Sequence, residues 1–184
     1  MTGIDTVFGG KVLAKDNLKK LKLFYQTVDS QTAKLEKIHA EHLNCKKGCS
    51  ACCVDDISVF DIEAENIKQN HGDLIESAKP HHIGMCAFLN ENGACRIYEN
   101  RPYVCRTQGL PLRWFEKQED ELIELRDICP LNEEGVPVEK LEEEKCWTIG
   151  EFESKLAELQ KEFGQGKNKR IKLRKLFKSN ISEE

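Results

Sequence analysis

The tightest constraint on this chain is a cluster of four cysteines within nine residues, Cys45, Cys49, Cys52 and Cys53. Free thiols seldom crowd together unless they bind something, and a divalent metal or an iron–sulfur cluster gives each thiolate a cation as its neighbour. Gaps of three and two residues let successive sulfurs converge on one centre. The cluster therefore predicts a metal-binding segment, and Gly48 indicates that this segment is at least partly a loop.

The other cysteines and the N-terminus bear on the redox state of these thiols. The chain has nine cysteines, an odd number that excludes complete internal pairing. It has no basic start followed by an apolar run, and no apolar run long enough to span a membrane. We therefore expect a cytoplasmic protein that uses its cysteines for metal or catalysis. Disulfides remain the alternative if a signal peptide has been removed.

The adjacent pair Cys52 and Cys53 suggests more than one simple site. Neighbouring side chains tend to diverge, so both sulfurs fit poorly on a single tetrahedral ion. The pair indicates two metal centres, a cluster, or a spare reactive thiol. Further ligands must then come from later in the chain, and eight sulfurs would close two four-sulfur sites or ligate two cubane clusters. The later candidates are Cys86, Cys95, Cys105 and Cys129.

The composition predicts a helical protein with a modest core. Charged residues make up 33% and hydrophobic residues 39% of 184 residues, so a metal site would help to stabilise the centre. We expect a mainly α fold with a small β-hairpin, in which a compact cysteine-rich module is flanked by N-terminal and C-terminal helices. The predicted segments are an N-terminal helical arm (1–44), the metal-binding module (45–130), and a charged helical region with a basic tail (131–184).

Charge is uneven although the net charge is only −4, a value that makes nucleic acid an unlikely partner of the whole chain. Seven basic residues and no acidic one lie between Lys167 and Lys178, whereas the stretch from Glu133 to Glu144 is strongly acidic. We expect the basic tail to fold back on this acidic stretch. RNA, a membrane surface or an acidic protein are the alternatives.

Periodicity and turn signals predict the local elements. A three/four spacing of apolar residues predicts one helix over about 16–43. Asn92-Gly93 predicts a hairpin over 85–98 that would bring Cys86 and Cys95 together. The remaining predictions are a short strand over 57–60, a helix from Asp61, a short helix at Pro102 capped by Asn100, and a helix over 139–163 broken near Gly150.

The motifs from Cys45 to Pro130 together resemble the CxxxCxxCC family of zinc- or iron-chelating proteins. Their order matches: the first cysteine cluster, then Cys86-x-Phe-Leu, Gly93-x-Cys95-x-Ile-Tyr98, Arg101-Pro102-x-x-Cys105-Arg106 and Cys129-Pro130. The resemblance implies metal binding by eight cysteines and leaves Cys146 outside the set. The implied ligands are Cys45, Cys49, Cys52, Cys53, Cys86, Cys95, Cys105 and Cys129.

The same resemblance leaves the activity open. Members are often labelled iron–sulfur oxidoreductases, and the flagellin lysine N-methylase carries a similar domain within a longer chain. The spacing of Cys45, Cys49 and Cys52 also satisfies that of radical S-adenosylmethionine enzymes. Those enzymes need a large partial β/α barrel, and the repeated strand–helix pattern of such a barrel is missing from this sequence.

Two arginines of the matched motif are candidate cofactor-binding residues. Arg101 and Arg106 could bind a carboxylate or phosphate, or donate hydrogen bonds to cluster sulfurs. The alternative, which we favour, is that they pair with acidic side chains and support the thiolates. Among the histidines, His42 lies three residues before Cys45 and is the strongest candidate for a nitrogen ligand, although eight sulfurs make one unnecessary.

Three functions follow from these observations. The first is a protein that binds iron, most simply as an iron–sulfur cluster, or zinc through its eight cysteines. The second is an iron–sulfur enzyme that modifies a protein or small molecule, with S-adenosylmethionine as a possible cosubstrate. The third is a structural zinc scaffold that presents its helices to a protein partner.

Overall fold

A computed structural model describes residues 5–45, 48–132 and 137–178, with side chains from residue 15 onward. Its first element is the long helix α1, Asp5–Ile38. The predicted helix is confirmed, but it starts earlier and ends before the predicted end at about residue 43. Turns follow, in which the His42 and Leu43 amides both donate to the carbonyl oxygen of His39, at 2.9 and 3.0 Å. The first cysteine cluster therefore lies beyond the helix.

The buried face of α1 is the one that its periodicity predicts. Leu21, Tyr25, Val28 and Leu35 are all buried. Thr32 lies in the same stripe and is also buried, and its hydroxyl donates to the carbonyl of Asp29 at 3.2 Å. A local hydrogen bond thus satisfies the Thr32 hydroxyl on this face.

Two further predicted elements follow the cysteine cluster. Strand β1, Ser58–Phe60, leads directly into helix α2, Asp61–Ser77. Glu63 is buried at the first turn of α2 and accepts a hydrogen bond from the Phe60 amide at 3.1 Å. Helix α2 is kinked at His71, where the backbone leaves helical geometry. The short helix α3, Tyr103–Thr107, begins after Pro102, so the predicted cap at Asn100 is wrong.

The hairpin lies elsewhere than predicted. At 85–98 the predicted turn is present, with Gly93 at φ +74° and its amide donating to Asn90 at 2.9 Å, but the ladder is a single bridge between Leu89 and Cys95. The long antiparallel pair consists of β2, Leu112–Gln118, and β3, Glu121–Asp127. A short strand β4, Trp147–Thr148, runs parallel to β2.

The C-terminal region is helical only after its predicted break. Two 3₁₀ turns, Val138–Lys140 and Glu143–Lys145, precede β4, and helix α4 is Glu151–Phe163. Gly164 ends α4, as predicted, and a Cβ there would lie 2.6 Å from the Lys167 carbonyl. Helices make up 46% and strands 16% of the structure, so the fold is a helix-rich mixture of α and β.

The basic tail folds back on the protein, but not on the acidic stretch that we expected. Strand β5, Arg170–Lys172, pairs with β1 in antiparallel register. Ion pairs join Lys172 to Asp56 at 2.6 Å and Lys178 to Glu76 at 2.5 Å. Acidic residues beside β1 and α2 therefore take the place of the 133–144 stretch, of which 133–136 lie outside the described residues.

Two hydrophobic clusters hold these elements together. One lies around α1 and includes Phe24, Tyr103, Trp147 and Leu156. The other joins α2, the 85–97 segment and the C-terminal tail through residues that include Ile67, Phe88, Leu173 and Phe177. Within the described ranges, no helix is long and apolar enough to cross a membrane.

Candidate metal centre

A cavity of about 800 Å³ is lined by cysteines from three separate stretches of the chain. Its walls are the end of α1, the 45–53 segment, the 86–97 segment and α3. All nine cysteines are described, and none of them is in a disulfide. Seven of the eight predicted ligands line this cavity: Cys45, Cys49, Cys52, Cys53, Cys86, Cys95 and Cys105.

The eighth predicted ligand, Cys129, lies beside Cys45 because two segments are joined by hydrogen bonds. The Asn44 backbone amide donates to Asn132 Oδ1 at 2.9 Å, and the Asn44 side chain donates to the Leu131 carbonyl at 2.8 Å. The Asn132 amide in turn donates to the Cys129 carbonyl at 2.9 Å. The amide side chain of Asn132 also lies 3.7 Å from Cys45 Sγ.

The electrostatic surroundings of the Cys45 thiol agree with this arrangement. Burial raises the pKa of Cys45, the hydrogen bond with Asn132 lowers it, and the charges of Cys129, Cys49 and Cys52 raise it. Each of these three thiols must lie near Cys45 to act on it.

Gly109 sets the position of Cys45 and was not a predicted site residue. It is buried behind α3 with φ at +94°. A Cβ at this position would lie 2.4 Å from Cys45 Sγ, well inside van der Waals contact. A glycine just after a helix is an ordinary helix-ending signal, so the sequence alone could not reveal its contact with the sulfur.

The sulfurs on the opposite side of the cavity are held by backbone contacts. The Cys86 amide donates to the Cys53 carbonyl at 2.9 Å, and the Leu89 amide donates to the Cys86 carbonyl at 3.0 Å. Leu89 then forms the bridge with Cys95. The predicted approach of Cys86 and Cys95 is therefore confirmed, although a turn rather than a strand ladder produces it.

Helix α3 brings Cys105 to the same side. Burial raises the pKa of the Cys105 thiol strongly, and the charges of Cys86 and Cys95 raise it further. A neutral thiol is thus the favoured form there in the absence of a cation. A metal ion would supply the opposite charge that stabilises the thiolate.

The adjacent cysteines at the centre of the motif behave as a pair. A hydrogen bond from the Cys53 thiol lowers the pKa of Cys52 to about 6. The same bond, followed by burial, raises the pKa of Cys53. Cys52 is therefore the more readily ionised of the two thiols. Lys46 and Lys47, whose charges would also favour thiolates, lie outside the described residues.

The donor set fits zinc or iron in its chemistry, because thiolates are the ligands that zinc and iron–sulfur clusters share. Its geometry is not a finished coordination shell. In the part of the chain that the structure describes, no three His, Cys, Asp or Glu side chains form a group that could hold one ion. Binding therefore requires the thiols to turn toward one another from their present positions.

The two predicted cofactor-binding arginines lie in different surroundings. Arg106 is buried and donates to both carboxylate oxygens of Asp29, at 2.7 and 2.6 Å, while its guanidinium lies 4.1 Å from the Tyr25 ring centroid. Arg101 is half-buried on the cavity wall and stacks on exposed Tyr98 at 4.1 Å. The contacts of Arg106 favour a structural role, and a cofactor role for either arginine stays a prediction.

The histidines do not join the sulfurs. His39 is buried with its Nε2 atom 2.7 Å from the Lys145 carbonyl oxygen, and His42 is half-buried outside the cavity lining. The histidine that lines the cavity is His71, whose Nε2 atom lies 2.9 Å from Asn100 Oδ1. His71 is also the residue at which α2 is kinked, and Gly72 follows it directly.

Cys146 lies apart from the cavity, as its position outside the motif predicts. It is buried, and among its charged neighbours are Arg126 and Arg113, which lower the pKa that burial raises. It is not among the residues that line the cavity. The structure therefore gives it no contact with the other sulfurs.

Residues 44–130 match a family model named CxxCxxCC and described as a "putative zinc- or iron-chelating domain". The predicted resemblance is confirmed over nearly the stretch on which it was based. This chain has three residues in the first gap, between Cys45 and Cys49, where the family name has two. No curated protein and no solved structure gives a match.

Proposed function

We propose that this chain, whose residues 44–130 belong to the CxxCxxCC family, binds iron or zinc through Cys45, Cys49, Cys52, Cys53, Cys86, Cys95, Cys105 and Cys129. One observation carries the proposal. Free thiols from three separate stretches line one cavity, although none of them is paired with another in a disulfide. Thiols gathered in this way need a cation to be stable as thiolates.

The volume of the cavity favours an iron–sulfur cluster or two separate ions over one zinc ion. A single tetrahedral ion takes four sulfurs at about 2.3 Å and fills little of a cavity of about 800 Å³. When bound, an iron–sulfur cluster would supply electron transfer, whereas zinc in a closed four-sulfur site would supply stability. The surrounding backbone bonds hold the ligand segments in place for either group.

An enzyme is the second candidate, and one feature favours it. Arg101 stands on the wall of the same cavity, and its charge lowers the pKa of Cys95, which burial raises. A guanidinium beside a metal centre could hold the carboxylate or phosphate of a substrate. Activity of this kind, with or without S-adenosylmethionine, would require a coordination position that the protein leaves open.

A pair of cysteine variants tests the metal-binding proposal. Cys49→Ser should lose metal and stability, because a hydroxyl is a poor substitute for a thiolate ligand. Cys146→Ser is the matched control, since that thiol lies away from the cavity, and should keep the metal content of the wild type. Metal analysis of anaerobically purified protein measures both. Equal metal content in the two variants would contradict the ligand set.

A further inference from the structure

The eight cysteines differ in their exposure and in their packing against the hydrophobic cluster around Phe88. We infer that two separate four-sulfur centres form, an inference that rests on the proposed metal-binding function. The outer centre consists of Cys45, Cys49, Cys52 and Cys129, and the inner centre consists of Cys53, Cys86, Cys95 and Cys105. The boundary between the centres is the peptide bond from Cys52 to Cys53.

The outer centre lies at the surface. Cys45 and Cys52 are exposed, and Cys49 and Cys129 are half-buried. The hydrogen bonds of Asn44 and Asn132 bring Cys129 to Cys45 although 84 positions separate them (129 − 45). Cys49 and Cys52 follow Cys45 within seven positions and line the same cavity.

The inner centre belongs to the hydrophobic cluster around Phe88. Cys86 is a buried member of that cluster, and Cys53 and Cys95 pack against it. Cys105 approaches from α3 on the same side. The thiols that act on Cys105 electrostatically include both Cys86 and Cys95. Burial of this kind protects a metal centre from water and from competing ligands.

Cys52 is the residue whose assignment needs an argument, because it lies near both groups. It interacts electrostatically with Cys45 of the outer group and with Cys105 of the inner group. It is also hydrogen-bonded to Cys53 of the inner group. The inner group already has four sulfurs without it, enough to close a tetrahedral site or to ligate a cubane cluster. Cys52 is exposed, like Cys45, whereas Cys53 is half-buried and packs against the hydrophobic cluster around Phe88. Cys52 therefore completes the outer centre.

Zinc reconstitution of the metal-free full chain tests the division. The wild type should bind two equivalents of zinc, and Cys49→Ser, Cys129→Ser and the double variant should each retain one. The double variant is decisive, since both substitutions remove the same centre and their effects should not add. Complete loss of zinc in a folded double variant, or a wild type that binds one equivalent, would overturn the division.

Alkylation of the wild-type protein provides a second measurement that does not depend on variants. During gradual removal of zinc by a chelator, the four outer cysteines should be alkylated together and before the four inner ones, because they are less buried. Alkylation of Cys52 in step with the inner cysteines would overturn the division. A wild type that binds no zinc and carries no iron would instead overturn the proposed function.

Discussion

Replacing Gly109 by alanine should weaken metal binding, because it pushes on the sulfur of Cys45. The new Cβ would lie 2.4 Å from Cys45 Sγ, where ordinary contacts between such atoms are about 3.5 Å or more. The sulfur must therefore move by about 1 Å. Gly84→Ala is the matched control, because Gly84 has the same φ of +94° and nothing within 4 Å of the position of its Cβ.

Both variants carry the same backbone strain, but only Gly109→Ala places a Cβ against Cys45. A left-handed backbone costs alanine about 1–2 kcal/mol at either position. In the metal-free protein the exposed Cys45 thiol can rotate away, so both variants should lose about that amount of unfolding free energy. With metal bound the sulfur is held, and Gly109→Ala carries an additional overpacking cost of about 1–3 kcal/mol.

This additional cost appears as lost affinity, at a factor of about ten for each 1.4 kcal/mol. Competition with a chelator measures the affinity, and urea unfolding of the metal-free protein measures the shared backbone cost. Gly109→Ala should bind metal about tenfold more weakly than Gly84→Ala. Equal affinity of the two variants would refute the reasoning that Cys45 binds metal from its place against Gly109.

Two further predictions concern the scaffold. Arg174→Ala should lower the unfolding free energy by about 2–3 kcal/mol, because this half-buried arginine donates to Asp55 and to three carbonyls of the 81–85 loop. Lys172→Ala is the control, because it removes only an exposed ion pair and should lower the unfolding free energy by at most about 1 kcal/mol. Urea unfolding measures both values. Glu63→Gln should lower the unfolding free energy by about 1–3 kcal/mol, because the NH₂ group of the glutamine side chain would face the Phe60 N–H, which is also a donor. Burial raises the pKa of Glu63 above 4.5. The unfolding free energy of the wild type should therefore fall relative to that of Glu63→Gln as pH rises from 4.5 through the raised pKa. Parallel pH profiles of unfolding free energy in the two proteins would contradict this prediction.

The sequence predicted the family match over residues 44–130, because the order and spacing of the cysteine motifs are visible without the fold. The turn at Asn90–Gly93 is a local signal, and it correctly placed Cys86 near Cys95. The proposed division of the eight cysteines could not be predicted from the sequence. It depends on the bonds from Asn44 to the 131–132 turn, which join segments far apart in the chain.

The main errors arose where tertiary contacts replaced local preference. The hairpin of β2 and β3 turns at Glu119, which has φ at +54°, and no glycine or asparagine marks that turn. The segment before Gly150 has helical periodicity, yet it forms 3₁₀ turns and a strand because Trp147 pairs with Leu112 of β2. The basic tail forms ion pairs with Asp56 and Glu76, which are distant in sequence. The pattern of charges alone does not indicate which acidic residues the tail contacts.

The three predicted segments, 1–44, 45–130 and 131–184, stay a prediction. The tail supplies Leu173, Leu176 and Phe177 to the same cluster as Phe88 of the module. We therefore expect that a fragment covering 45–130 alone would be less stable than the full chain, although its ligands would be complete.

Metal analysis of the untagged full chain, purified without oxygen and paired with visible absorption spectroscopy, tests the central claim most directly. The account predicts stoichiometric metal: iron with the broad visible absorption of an iron–sulfur cluster, or zinc in a colourless protein. Protein that carries neither metal, takes up neither on reconstitution, and leaves all nine thiols equally reactive would contradict it.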